Sequence, residues 1–214
     1  MDDFWTKAKE YMYPGKKTSN WYNYPTLDLA IINGYYGLIK ERNLGPATLD
    51  SVYAAAYGGD LQCFSWVVEM LQGRIPLVSV TSIACARGHL HLLKELQKRV
   101  PNFAICEGQA DIAMGAGYLP MCIWLHKQGC TFSPHALDIA AMEGHLDVVI
   151  WATQKKIVNY TRNTVIYASS GGDLGTVKYM HFLSKGKYQK KCVEVCIFFG
   201  RKEAASYVAK RWYD

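Results

Sequence analysis

The sequence predicts an all-α protein, a solenoid of about seven copies of a ~28-residue helix-turn-helix unit. Three observations predict it. The stretch DIAAMEGHLDVV, residues 138–149, carries two apolar groups at helical spacing, split by a glycine that one continuous helix would not want. The phrase recurs as AIINGYYGLI, AAAYGGDLQCF, ACARGHLHLL, AMGAGYLPMC, ASSGGDLGTV and CIFFGRKEAA. Its anchors Gly34, Gly59, Gly88, Gly117, Gly144, Gly172 and Gly200 are 25, 29, 29, 27, 28 and 28 residues apart. Four places before each anchor stands a small residue: Ala30, Ala55, Ala84, Ala113, Ala140, Ala168 or Cys196. Five places after it stands Ile39, Phe64, Leu93, Cys122, Val149, Val177 or Ala205, and two places after it a leucine or Tyr36, with Lys202 departing only in the last copy.

In chain order, residues 1–25 precede the repeats. DDFWTKAKEYMY reads as a short helix capping the first unit, and PGKKTSNWYNYP as a tethered loop. Residues 26–208 hold the repeats and residues 209–214 a tail, with AASYVAKRWYD forming the opposite cap. Within a unit, Leu137, Ala140 and Ala141 share one face of a first helix, and Leu146, Val149 and Trp151 begin the face of a second. The glycine between them closes the first helix in the left-handed conformation. Asp60 and Asp173 are N-caps for the second helix, and Pro120 falls just inside its start. Loops contain Pro46, Pro76, Pro101 and Pro134. The small residue lets neighbouring helices approach closely, and no unit can bury its apolar stripe alone, so the copies stack. Trp66, Trp124, Trp151, Tyr179 and Tyr207, seven places after their glycines, read as helix-face packing, partly exposed on the outside.

Composition excludes several classes. The MDDFWTKAKE start is unlike a signal peptide, and the apolar run at VCIFF is too short to span a bilayer. Seven scattered cysteines imply a reducing compartment, the cytoplasm, and packed thiols. The Gly-Gly pairs 58–59 and 171–172 belong to repeat turns, not to a phosphate loop. His89 and His91 lack further ligands at metal spacing, and Cys192 and Cys196 have no histidine to complete a set. His89 and His145 instead occupy the turn position, where an imidazole can hydrogen-bond the backbone of an adjoining unit. The expectation is no catalytic site, no metal and no cofactor: not an enzyme.

HALDIAAMEGHLDVV resembles the ankyrin repeat, whose first helix carries a TPLHxAA-type run followed by a Gly-His-Leu turn. The resemblance covers roughly residues 26–208. No copy keeps the TPLH box, whose histidine position holds Asp28, Tyr53, Ser82, Asp111, Asp138, Ile166 or Glu194. A period of ~28 rather than about 33 implies β-hairpin fingers reduced or absent. With phrases such as WLHKQGC, these shortened copies look most like those of large DNA viruses of amoebae, and similar repeats occur in some microbial eukaryotes. The resemblance implies a non-catalytic module that binds a partner protein through the concave face. A viral source would imply a host regulatory protein in the host cytoplasm as the partner. In the family the two residues before each anchor glycine line that face. Carried onto this chain, they give Tyr57, Arg87, Met142 and Glu143 as candidate contacts, aromatic and arginine side chains dominating binding hot spots. Phe198 and Phe199, on the same strip, are expected to pack under the C-terminal cap.

Charge is asymmetric. Residues 151–214 hold 12 Lys and Arg against 4 Asp and Glu, while residues 1–150 hold 12 against 14. The run SKGKYQKK, with Lys185, Lys187, Lys190 and Lys191, is the densest part. It suits an acidic protein, nucleic acid or an anionic surface, or it simply keeps a terminal repeat solvated. Only Tyr188 stands among these charges as a stacking residue, so nucleic acid is an alternative rather than the favoured partner. A structural or oligomeric component is the other alternative, drawn from 28 aromatic residues. Oligomeric state and partner identity stay open.

Overall fold

The computed structural model describes residues 26–42, 44–101 and 103–210. The expected capping segment 1–25 and residues 211–214 lie outside them. Among the described residues there are fourteen α-helices and no strand: α1 Leu27–Ile32, α2 Tyr36–Arg42, α3 Leu49–Gly58, α4 Leu61–Met70, α5 Leu77–Arg87, α6 Leu90–Arg99, α7 Glu107–Gly115, α8 Leu119–Lys127, α9 Pro134–Met142, α10 Leu146–Gln154, α11 Arg162–Gly171, α12 Leu174–Leu183, α13 Gln189–Phe198 and α14 Lys202–Lys210. The last helix runs past the expected repeat boundary at residue 208. Each odd-numbered helix packs on the next odd-numbered one and pairs with the even-numbered helix that follows it. In the second row α4 packs on α6, α8 on α10, α10 on α12 and α12 on α14. The architecture is thus an all-α stack of helix pairs laid down in chain order.

The anchor glycines make each pair. All seven have φ between +68° and +82°, the region where a Cβ is strained. In five units the residue after the glycine donates its N–H to the carbonyl of the small residue: Tyr35 to Ala30, His89 to Ala84, Tyr118 to Ala113, His145 to Ala140 and Arg201 to Cys196, at 2.7–3.2 Å. That six-to-one closure uses up a carbonyl the helix end would otherwise leave unpaired. The two Gly-Gly-Asp units close differently. Gly59 and Gly172 donate to Ala55 and Ala168 at 3.0 and 3.1 Å, which frees the next residue to be an N-cap. Asp60 then accepts from the Cys63 N–H and Asp173 from the Thr176 N–H, both at 2.7 Å. Pro120 sits in the first turn of α8, as its position predicts. Pro76 and Pro134, expected in loops, are the N-cap of α5 and the first residue of α9, where a fixed φ favours helix entry.

The small residues are all fully buried. Phe64, Leu92, Leu93, Leu96, Met114, Met121, Leu125, Leu137 and Met180 supply the bulk of the core. At about 1.5–3 kcal/mol for each fully buried large apolar side chain, these dominate the drive to stack. Trp66, Trp124, Trp151, Tyr179 and Tyr207 are half-buried against that core. No described helix is long and apolar enough to cross a membrane.

Two kinds of joint connect consecutive units. In the first, the residue after one anchor glycine lies over the glycine of the unit before it: Asp60 over Gly34, His89 over Gly59, Tyr118 over Gly88, His145 over Gly117, Asp173 over Gly144 and Arg201 over Gly172. A side chain on any of these glycines would press into its cover. In the second, a hydroxyl or amide of one unit pairs with the preceding unit. Ser51 donates to Asp28 at 2.8 Å, Ser133 to Asp111 through both N–H and hydroxyl, and Thr164 to the buried Asp138. Between the third and fourth units the Gln109 side-chain amide donates to the Thr81 hydroxyl and, at 3.0 Å, to the Val78 carbonyl. Three of the acceptors, Asp28, Asp111 and Asp138, stand six places before their anchor glycines.

Candidate functional site

The odd-numbered helices all end on one edge of the stack, so the residues before the anchor glycines form a strip. Two of the four candidates meet. The Arg87 guanidinium, at the end of α5, lies 4.1 Å from the centre of the Tyr57 ring at the end of α3. Tyr57 is held from behind, its carbonyl 3.0 Å from His89 Nε2, and His91 Nε2 lies 2.6 Å from the Gly59 carbonyl. The expected imidazole-to-backbone contact between units is therefore present at His89. Burial pushes the His89 pKa below its ordinary value, so the ring is neutral at pH 7 and bonds the carbonyl through Nε2–H. Arg87 is exposed and Tyr57 half-buried, which leaves a flat cation–aromatic pair open to solvent.

Met142 and Glu143 stand two units further along, at the end of α9, both exposed. Gly115 and Ala116 of the intervening unit separate them from the Tyr57–Arg87 pair. Gly115 is buried against the side chain of Ile139, so the strip dips there. The four candidates thus form two contact points on one edge, not one cluster.

Phe198 and Phe199 correct the expectation of a capped pair. They are 84% and 52% exposed, and their rings meet edge to face at 5.1 Å. Ile112 and Tyr167, also exposed, were missed by reading only two residues per unit. Each lies five places before its glycine, one helical turn behind the strip and on the same helix face. Comparing that register position across all units was the signal that finds them.

The basic run is solvent-facing throughout. Lys185 and Lys187 lie in the turn before α13, with Lys185 in the left-handed region at φ +51°, and Lys190 and Lys191 occupy the first turn of α13. Cations there oppose the helix macrodipole, which weakens the helix start by a few tenths of a kcal/mol. Lys191 Nζ lies 3.4 Å from the Glu194 carboxylate, an exposed pair worth little to stability. A second basic feature joins Lys202 and Lys210, expected on the solvated face of the last helix, to Lys178 of α12. Lys178, Lys202 and Lys210 line an open depression of about 460 Å³ between α12 and α14, with the Lys178 ammonium 5.4 Å from the centre of the Tyr207 ring.

Chemistry is sparse. Among the described residues no group of three or more His, Cys, Asp and Glu side chains is placed to hold a metal ion. Burial pushes the Cys63, Cys85 and Cys122 thiols up to about 12 and raises those of Cys192 and Cys196, so these five are protonated, packed thiols rather than nucleophiles. Cys192 and Cys196 point at the Val165 and Ser169 carbonyls of the unit before, at 3.8 and 3.4 Å. No protein-family model matches the chain, and no curated protein matches its sequence.

Proposed function

We propose that the chain is an ankyrin-like solenoid with no catalytic role, which binds a partner protein along the strip at the ends of its odd-numbered helices. The observation that carries this reading is the Arg87–Tyr57 pair, an arginine stacked 4.1 Å over an aromatic ring on an edge made of helix ends. Tyr and Arg are the residues that most often anchor protein interfaces, and a ring already stacked against Arg87, on a backbone whose carbonyl bonds His89, loses little freedom on binding. Met142 and Glu143 add an adaptable apolar contact and a charge that can fix register. The viral style of the repeats makes a host regulatory protein in the cytoplasm the natural class of partner.

The test is affinity capture from a nuclease-treated lysate at low and moderate salt, with the chain beside its Tyr57→Ala, Arg87→Ala, Glu143→Ala variant. A protein that survives moderate salt and is lost from the variant supports the strip as the binding face. Equal capture by the variant sinks it.

A second reading rests on the exposed lysines of the α13 turn together with Lys178, Lys202 and Lys210, which offer a basic end to an anionic polymer. A steep loss of nucleic-acid binding with salt, insensitive to Tyr57 and Arg87, would favour it.

A further inference from the structure

We propose that the α13 end of the stack binds the α1 end of a second copy of this chain, head to tail. The inference concerns the two ends of the stack and does not use Tyr57, Arg87, Met142 or Glu143, although Phe198 and Phe199 belong both to the strip's register and to the α13 end. It rests on continuity with six joints already present in the chain, because each joint shows what the two end surfaces are built to receive.

Two register positions are filled at every joint inside the chain and a third, polar one at some of them, and among the described residues all three are left open at the ends. The first is the place three residues before the anchor glycine. Ile31, Ala56, Cys85, Met114, Ala141 and Ser169 are all buried there, yet Ile197, the seventh, is 67% exposed. Its neighbours Phe198 and Phe199 enlarge the apolar surface. The second is the covered glycine. Six anchors lie under a side chain of the next unit, whereas among the described residues nothing stands within 4 Å of where a Cβ would sit on Gly200. The matching cover at the other end is Tyr35, the residue after the first anchor, which is 54% exposed. Tyr35 is to Gly200 what Tyr118 is to Gly88. The third is the polar pair. Asp28 and Asp138 accept from residues eight places before the next anchor, Ser51 and Thr164. Glu194 holds the acceptor place in the last unit, exposed and paired only at the surface with Lys191, and Thr26 holds the hydroxyl place in the first, also exposed.

An exposed apolar surface, an uncovered glycine seat and an exposed acceptor at one end therefore meet an exposed ring and, on Thr26, an exposed hydroxyl that accepts from the Leu29 N–H and can still donate at the other. Charge selects the same arrangement. Residues 151–214 carry a balance of +8 and residues 1–150 one of −2. Tail-to-tail contact would oppose two basic ends, while head-to-tail contact keeps them apart. An interface between unlike surfaces does not close on itself, so association continues beyond a dimer unless the rotation closes a ring.

The test uses the whole 214-residue chain, with molar mass measured by light scattering over a concentration series. Three variants accompany it: Tyr35→Glu, Ile197→Glu and Phe198→Glu, with Val78→Glu, an exposed valine of the third unit, as control. Circular dichroism verifies folding, and Phe198→Glu replaces Ile197→Glu should the latter unfold. The expected result is a wild-type mass that rises with concentration, an association weakened about tenfold or more by each end variant, and no change for the control. A mixture of Tyr35→Glu with Ile197→Glu has one good surface of each kind and must restore a two-chain species. A wild-type chain that stays monomeric throughout overturns the proposal. So does association that survives Tyr35→Glu, because the α13 end would then be pairing with something other than the α1 end.

Discussion

Gly171→Ala tests how closely the odd-numbered helices approach. Gly171 ends α11 and is not among the residues with positive φ, so its backbone suits alanine, and helix propensity alone favours the change by roughly 0.5–1 kcal/mol. Packing says the opposite. A Cβ on Gly171 would sit on the Met142 carbonyl oxygen, with the Met142 carbonyl carbon at 2.7 Å and its Cα at 3.2 Å. Ordinary carbon–carbon contacts lie near 3.5–4.0 Å, so α9 and α11 must part by about 1 Å. The obstacle is backbone and cannot rotate away, which puts the strain toward the upper end of the ~1–3 kcal/mol seen for overpacking. The net expectation is destabilisation by about 1–2 kcal/mol, opposite in sign to propensity. Gly108→Ala in α7 is the control, since nothing lies within 4 Å of its Cβ position and propensity is left to act alone. Urea unfolding followed by circular dichroism measures both. If Gly171→Ala proves as stable as Gly108→Ala, the close approach of these helices is refuted.

Asp173→Ala removes a cap from α12 and an acceptor from the fully buried Thr176 hydroxyl while keeping the Cβ that lies over Gly144, and should cost about 1–2 kcal/mol in the same assay. Burial holds the Asp138 carboxyl above its ordinary 3.8 despite the Thr164 hydroxyl, so between the ordinary and the raised value the folded chain holds a proton that the unfolded chain has lost. Stability through this group is therefore fullest below that window and falls as pH rises through it. Asp138→Asn keeps an acceptor for Thr164 and should flatten this slope, which urea midpoints measured across mildly acidic pH will show or deny. Cys106, exposed, should react first with an aromatic disulfide reagent, and the five buried thiols only on unfolding. Rapid labelling of Cys63, Cys85 or Cys122 in the folded chain would contradict their placement.

Local rules carried far. A glycine followed by aspartate announces a cap, and the structure uses Asp60 and Asp173 so. A small residue four places before a glycine announces a close helix approach, and all seven are buried. What could not be read were facts of position in the stack. Phe198 occupies the same register as Tyr57 and Met142, and only the want of a following helix pair among the described residues leaves it bare. The Arg87–Tyr57 stack joins two register places one period apart, a relation visible only when neighbouring units are superposed. Ile112 and Tyr167 escaped because the strip was drawn two residues wide, whereas a helix presents the residue three or four places back on the same side.

The polar joints bear on how such a chain can be edited. Glycine seats are nearly alike from unit to unit, and taken alone they would let units be swapped, duplicated or deleted. The buried pairs forbid that. Asp138 needs the hydroxyl that Thr164 brings. Were the third unit spliced in after the fifth, Val80 would arrive at that place and strand a carboxylate in the interior, at a cost of several kcal/mol. The order of the units is written into which neighbour each can tolerate, as a lock admits only its own key.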